Sequence, residues 1–279
     1  MTTRAVVLGG GGIAGIAWES GVIAGLADNG IKLNTADKVI GTSAGSIVGS
    51  ALTNGQSMKD YLAAMASQSA EQDQSLASMD FFELFGRAAA GSSAEEIGKN
   101  FGRITQSREP AIADDARNNR MKQLVGQFNW TDALTTTALN VETGKTHQFN
   151  KDSGVELLQA VAASSAVPGI WGSVHLNGED WIDGGLTSGN NAQFAEGYDQ
   201  VVVIAMIEQG QGTLPNVYDE VKELSKNSNV ILITPDDTSR PLVADSFNAS
   251  LVEKIGAAGY AQGVKLAHEN ADLRKYWYN

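Results

Sequence analysis

Cysteine is absent from the 279 residues of this chain, and histidine is represented by three residues only. Without cysteine, disulfide bonds, thiolate catalysis and cysteine metal sites are excluded. The histidines and acidic residues are dispersed and do not show the spacing of metal ligands, so we expect no metal and no other cofactor. A cysteine-free composition suits a cytoplasmic protein, and we expect that location.

Basic residues are also few: the chain has 20 lysines and arginines against 32 acidic residues, which gives a formal net charge of −12. A surface this acidic repels phosphate backbones, so nucleic-acid binding is not expected. It provides no general attraction to anionic membranes either. We therefore expect any contact with a membrane surface to be local and apolar.

Long apolar runs are missing as well, and no segment reaches the length that a membrane span needs. Arg4 followed by the apolar residues 5–8 resembles the start of a signal peptide. However, the four glycines of residues 9–12 would form a poor apolar helix, and Glu19 ends the segment early. We interpret the beginning of the chain as a buried strand followed by a glycine turn. Because no Pro/Ser-rich linker or charge block divides the chain, we expect one domain over residues 1–279.

Short apolar strands alternate with helical patterns along much of the chain, which predicts an α/β fold with a mainly parallel sheet covered on both faces. Helices are expected to follow the first two strands, with Gly30 at the end of the first helix. Residues 58–127 differ in being rich in Ala, Ser and Gln, and we expect helical excursions outside the sheet there, as a cap or as a surface subdomain. Strands are expected at residues 5–8, 39–40, 137–141, 201–207 and 230–233.

The glycine loop, residues 9–15, lies between the first strand and its helix. Such loops expose backbone N–H groups at a helix N-terminus and bind anions, either a phosphate or a developing oxyanion. Gly10, Gly12 and Gly15 also fit the dinucleotide fingerprint G-x-G-x-x-G. That fingerprint expects an acidic residue at the end of the second strand, where this chain has residues 41–43 with the sequence Gly-Thr-Ser. A nucleotide-binding oxidoreductase is therefore a weaker alternative.

Residues 41–45 have the pattern G-x-S-x-G at a predicted strand-to-helix turn, which is the context of a nucleophile elbow. A second conspicuous segment follows a hairpin that Asn177-Gly178 predicts. There Asp183 is expected just beyond a strand end, and two glycines after it let the chain turn away; taken alone, this is also a simple turn. Ser43, Asp183 and the glycine-loop amides together supply the nucleophile, base and oxyanion donors that acyl transfer needs.

The glycine loop, the elbow and the Asp-Gly-Gly segment, in this order, resemble the patatin-like phospholipase family from about residue 5 to residue 191. Residues 163–169, Ala-Ser-Ser-Ala-Val-Pro-Gly, are similar to that family's lead-in to its aspartate. The resemblance implies a three-layer α/β/α sandwich and a serine–aspartate dyad with Ser43 as nucleophile and Asp183 as general base. It also implies an oxyanion hole, for which the predicted donors are the amides of Gly10, Gly11, Gly12 and Ala44.

The implied activity is hydrolysis of acyl esters in phospholipids, lysophospholipids or neutral lipids. One departure concerns Ala14, where the family often has a basic residue, so simple esterase activity is better supported than phospholipase activity. An ordinary aspartate is a weak base, so a raised pKa is expected for Asp183, with Trp171, Trp181 and Ile182 as candidate apolar neighbours. Two alternatives stay open: a triad with His268 as base, and a non-catalytic lipid-binding or interaction protein of the same fold.

Overall fold

A single mixed sheet lies at the centre of the protein, whose computed structural model describes residues 2–69, 81–210 and 212–278. The strands are β1 (Arg4–Leu8), β2 (Lys38–Thr42), β3 (Leu134–Asn140), β4 (Thr146–Phe149), β5 (Val174–Leu176), β6 (Glu179–Asp183), β7 (Gln200–Ile204) and β8 (Asn229–Ile233). Their order across the sheet is β5-β6-β3-β2-β1-β7-β8, and β4 pairs with β3.

The middle of the sheet is parallel, which confirms the predicted fold class. The pairs β1–β2, β1–β7, β2–β3 and β7–β8 are parallel, whereas β3–β4, β3–β6 and β5–β6 are antiparallel. Two predicted strands differ from the observed ones by three residues at one end, and the others by one or two. The strand expected from residue 137 begins at Leu134, because β-branched threonines extend it. The strand expected to reach Ile207 ends at Ile204, because Met206 and Ile207 leave the sheet to pack near the glycine loop.

Helices cover both faces of the sheet, as the alternating pattern predicts. In β1, Val6 and Leu8 enter one apolar cluster, while Ala5 and Val7 enter another on the opposite face. Among the described residues, no helix combines the length and apolar character needed to cross a bilayer. The helices are α1 (Gly12–Asp28), α2 (Ala44–Thr53), α3 (Met58–Ser69), α4 (Phe81–Ala88), α5 (Ala94–Gln106), α6 (Asp114–Val125), α7 (Leu157–Ser164), α8 (Val217–Leu224), α9 (Val252–Glu269) and α10 (Ala271–Tyr278).

Helix α1 begins in the glycine loop and packs along α9 through glycines. A Cβ added at Gly21 would lie 2.3 Å from Gly256 O, and one added at Gly25 would lie 2.3 Å from Tyr260 O. The spacing of these contacts shows that the two helices run in the same direction. Only residues without a side chain permit so close an approach, so α9 fixes the position of α1 and of the loop at its start.

The stretch from residue 58 to residue 127 forms helices outside the sheet, as predicted, with residues 70–80 lying outside the described part of the chain. Helices α4 and α5 meet through Phe85 and Phe101, whose ring centroids are 5.0 Å apart. Phe101 is fully buried and belongs to a cluster with Leu139 and Ile182 of the sheet. These two helices therefore form part of the layer that covers the second face.

Candidate active site

Ser43 lies in the sharp turn between β2 and α2. Its backbone has φ 52° and ψ −113°, a conformation that costs a non-glycine residue about 1–3 kcal/mol. Space around the turn is tight: a Cβ on Gly41 would lie 2.5 Å from Gly45 O, and one on Gly45 would lie 2.1 Å from Leu8 O. The glycines on both sides of Ser43 are therefore required, and the turn has the geometry of a nucleophile elbow.

Strand β3 aligns β2, which ends one residue before Ser43, with β6, which ends at Asp183. Thr42, the residue before Ser43, pairs with Thr137 of β3. Asp183 is the last residue of β6, rather than lying just beyond its end, and it pairs with Ala138. Because Thr137 and Ala138 are consecutive, the two strand ends meet. The structure thus brings the predicted nucleophile and the predicted base together.

The Asp183 carboxyl group is buried, with 4% of the residue exposed. Burial raises the pKa of Asp183 to about 6, against the opposing effects of the Ser43 hydroxyl and the Gly185 amide. Oδ1 accepts a hydrogen bond of 2.7 Å from the Gly185 N–H, whereas Oδ2 has no partner with hydrogen-bond geometry in the described part of the chain. The Ser43 hydroxyl is thus near enough to lower the pKa of Asp183 without forming a well-aligned hydrogen bond to Oδ2. A carboxylate with this pKa is ionised at neutral pH and is a stronger base than an ordinary aspartate.

The glycine loop lies beside Ser43, since a Cβ on Gly10 would be 3.7 Å from Ser43 Cβ. The four predicted oxyanion donors are not equivalent. The Gly10 N–H already donates to Gly189 O at 2.8 Å. Gly12 and Ala44 are the first residues of α1 and α2, where backbone N–H groups have no acceptor within their own helix. The N–H groups of Gly11, Gly12 and Ala44 are therefore the better candidates to donate to a negatively charged oxygen.

Apolar side chains surround the glycine loop. A Cβ on Gly11 would lie 2.8 Å from the Met206 methyl group, and one on Gly12 would lie 3.1 Å from the Phe247 ring. Ile207 approaches the same loop and is 37% exposed. The sequence did not identify this rim, because its residues follow β7 and β8 and no local pattern connects them with the loop. It places apolar side chains around the loop that lies beside Ser43.

The structure does not place a histidine beside Ser43 in the manner of a triad. His268 lies near the end of α9 and is exposed. Because α9 runs in the same direction as α1, with Tyr260 beside Gly25, His268 lies roughly 30 Å along the helix axis from Gly12. His147 and His175 are exposed residues of β4 and β5. Their positions favour the dyad over the triad with His268.

No group of residues suited to hold a metal ion occurs within residues 2–69, 81–210 and 212–278. A cavity of about 690 Å³ is lined by residues of α8 and of the segment after Asp183, including Glu220, Ser188 and Asn191. Ser43, Asp183 and the glycine loop do not line it. The cavity is therefore separate from the place where Ser43 and Asp183 meet.

The patatin-like phospholipase family model matches residues 6–195. Comparison with curated proteins gives no match.

Among solved structures, the chain is similar to VipD from Legionella pneumophila, with 15% identity and a TM-score of 0.47, over 95% of this chain and 66% of that one. It is similar to the type III effector ExoU, with 15% identity and a TM-score of 0.42, over 100% of this chain and 54% of that one. The ExoU–SpcU complex from Pseudomonas aeruginosa gives 18% identity and a TM-score of 0.37, over 100% of this chain and 52% of that one. The chain thus spans 52 to 66% of the length of these structures.

Proposed function

The chain belongs to the patatin-like phospholipase family, a family of lipid acyl hydrolases, and we propose that it cleaves acyl esters with Ser43 as nucleophile and Asp183 as general base. The observation that carries this proposal is the meeting of a strained serine elbow with a buried carboxyl whose pKa is raised to about 6. Phospholipids, lysophospholipids and neutral lipids are the substrate classes that fit an apolar rim around Ser43.

The reaction begins when Asp183 Oδ2, which lacks a hydrogen-bond partner among the described residues, accepts the proton of Ser43 as Oγ attacks the ester carbonyl. The amides of Gly11, Gly12 and Ala44 stabilise the tetrahedral oxyanion, each by about 3–4 kcal/mol. The alcohol or lysolipid then leaves with the proton from Asp183, and an acyl-enzyme remains. Asp183 next takes a proton from water as the water attacks the acyl-enzyme, and it returns that proton to Ser43 Oγ as the fatty acid leaves.

The identity of residue 14, an alanine, affects which class of ester is the expected substrate. Ala14 is fully buried, so the glycine loop presents no cation at this position to a phosphate group. We therefore place carboxylesters and neutral lipids before phospholipids as substrates. The single domain over residues 1–279, the local apolar membrane contact and the cytoplasmic location stay predictions.

Ser43→Ala is expected to abolish both hydrolysis of p-nitrophenyl esters and labelling by a fluorophosphonate, because both require the same hydroxyl. His268→Ala serves as the control and is expected to keep kcat within about twofold of wild type, since this side chain lies far from Ser43. An inactive His268→Ala protein would show that the base is assigned wrongly. A wild-type protein that neither hydrolyses esters nor reacts with the probe would favour a non-catalytic lipid-binding protein.

Gly12→Ala is expected to lower kcat on the order of 10²-fold, the loss seen when one oxyanion donor is removed. Gly12 has φ 60°, and a Cβ there would lie 2.5 Å from Ser246 O, so the backbone of the loop or of Ser246 must shift. Gly55→Ala is the matched control, because Gly55 has φ 73° with nothing within 4 Å of its added Cβ. Steady-state kinetics of both variants test the loop, and equal kcat values would count against its role.

A further inference from the structure

A serine–aspartate dyad lacks the third residue that orients the base in a triad. In this protein Asp183 is held through Oδ1 by the Gly185 amide, and Oδ2 is unpartnered within the described residues. Ser43 has a strained backbone that would relax without support. The orientation of both groups must therefore come from other contacts, and the structure shows two bridges that connect them.

The first bridge is formed by the last residue of α7 and the residues that follow it. Ser164 is fully buried, and its Oγ accepts a hydrogen bond of 2.9 Å from the backbone N–H of Ser43. Two residues later, Ala166 O accepts a hydrogen bond of 3.0 Å from the backbone N–H of Asp183. One short segment thus binds the backbone of the nucleophile and the backbone of the base, and Ser164 supplies the side-chain contact.

The second bridge is the side-chain amide of Asn191, which is also fully buried. Its Nδ2 lies 2.9 Å from Gly184 O and 3.1 Å from Thr42 Oγ1. Gly184 follows Asp183 in the chain, and Thr42 precedes Ser43. The amide group has two hydrogens, so it can donate to both acceptors at once. Longer contacts of Nδ2 lead to Ser188 O at 3.2 Å and Thr137 Oγ1 at 3.4 Å.

We propose that Ser164 and Asn191 are positioning residues that hold Ser43 and Asp183 in register, an inference that rests on the proposed function. Asn191 contacts the neighbours of both dyad residues, whereas Ser164 binds the Ser43 backbone and is joined through Ala166 to the Asp183 backbone. Neither side chain hydrogen-bonds to a reacting atom. A misplacement of about 1 Å between reacting groups reduces rates by about 10²-fold. Loss of either bridge should therefore reduce the chemical step more than it weakens substrate binding.

Ser164→Ala tests the first bridge, with Ser165→Ala as the matched control. Ser165 is the next residue, and its Oγ donates to Val161 O at 2.7 Å within the helix end instead of binding the dyad. For Ser164→Ala we expect kcat and the fluorophosphonate labelling rate to fall about 10- to 100-fold, with KM within about threefold of wild type. For Ser165→Ala we expect all three quantities to stay within about twofold of wild type.

Asn191→Asp tests the second bridge, because it keeps the size of the side chain and removes both amide donors. Leu224→Ala is its control for lost stability alone. Leu224 packs in the apolar cluster that contains Ala192 and Ala195 and forms none of the bridge contacts. We expect Asn191→Asp to lower kcat and the labelling rate about 10- to 100-fold. Leu224→Ala should lower Tm and keep kcat within about threefold of wild type.

The two bridges are tested independently, so failure of one variant to fold leaves the other decisive. Folded Ser164→Ala or Asn191→Asp protein with wild-type kcat and labelling rate would overturn the role of that residue. The role would also be overturned if the control variant, Ser165→Ala or Leu224→Ala, showed the same fall in kcat at an equal loss of Tm. Loss of stability alone would then explain the effect. These outcomes differ from failure of the proposed function, in which wild-type Ser43 itself does not react.

Discussion

Asp183→Asn is expected to make the protein more stable at pH 8 while it lowers kcat for ester hydrolysis by on the order of 10⁴-fold or more. The loss of activity follows because the amide cannot accept the Ser43 proton. The gain in stability follows because a buried carboxylate with an unpartnered oxygen, in the described part of the chain, is replaced by a neutral group. The protein would thus be stabilised by removal of its base, a trade-off common at active sites.

The pH dependence of this gain follows from the raised pKa. The folded protein binds the Asp183 proton more tightly than the unfolded chain, because its pKa is about 6 and an ordinary aspartate has a pKa of about 3.9. The contribution of Asp183 to stability is therefore greatest below pH of about 4 and decreases as the pH rises to about 6, by roughly 3 kcal/mol. The same ionisation predicts that kcat/KM of the wild type falls below a pH of about 6.

Urea unfolding at pH 4 and pH 8 measures this effect as the difference between wild type and Asp183→Asn. The gain should be present at pH 8 and nearly absent at pH 4. Asp180→Asn is the control on the same strand, because the Asp180 side chain is 42% exposed and pairs with His175 at the surface. A gain for Asp183→Asn that is equal at both pH values would contradict a buried charge as its cause.

Gly45→Ala is expected to lower the free energy of unfolding by several kcal/mol and to reduce labelling of Ser43 more than about 10²-fold. The added Cβ would lie 2.1 Å from Leu8 O, a backbone atom in the centre of the sheet that cannot move alone. In addition, the Gly45 N–H donates to Gly9 O at 2.9 Å. Any shift of α2 would therefore move the elbow relative to the glycine loop.

Gly49→Ala, one turn later on α2, separates this clash from a general effect of alanine. A Cβ at Gly49 would meet only side-chain atoms, of Leu134 at 3.2 Å and of Val39 at 3.3 Å, within the distances that small shifts relieve. Alanine also favours a helix over glycine by about 1 kcal/mol. Urea midpoints and labelling rates of the two variants test the difference, and the idea fails if Gly45→Ala behaves like Gly49→Ala.

Much of the fold is encoded in local patterns of the sequence. The glycine loop, the elbow pattern around Ser43 and the hairpin before Asp183 each predict their own structure from neighbouring residues, and the structure contains all three. The alternation of strands and helices predicts the parallel part of the sheet, and the motifs in their order predict the family, which the match over residues 6–195 confirms.

Contacts between distant segments were not predictable in this way. Nothing near Ser164 indicates that its hydroxyl binds the Ser43 backbone, and Asn191 has the local character of a turn residue. The bond from the Gly10 amide to Gly189 O likewise depends on how two remote loops meet. The roles of Ser43, Asp183 and the oxyanion donors stay proposals, because geometry supports them and activity measurements decide them.

The close packing of α1 on α9 through glycines affects how readily copies of this chain associate with one another. The family match ends at residue 195, whereas β7, which pairs with β1, and α9, which covers α1, follow it in the chain. Without these later elements, β1 would become an open edge strand and the glycine face of α1 would be bare. Such edges pair with other chains and promote aggregation. The part of the chain beyond the family match therefore protects the segment that carries the glycine loop from pairing with other copies.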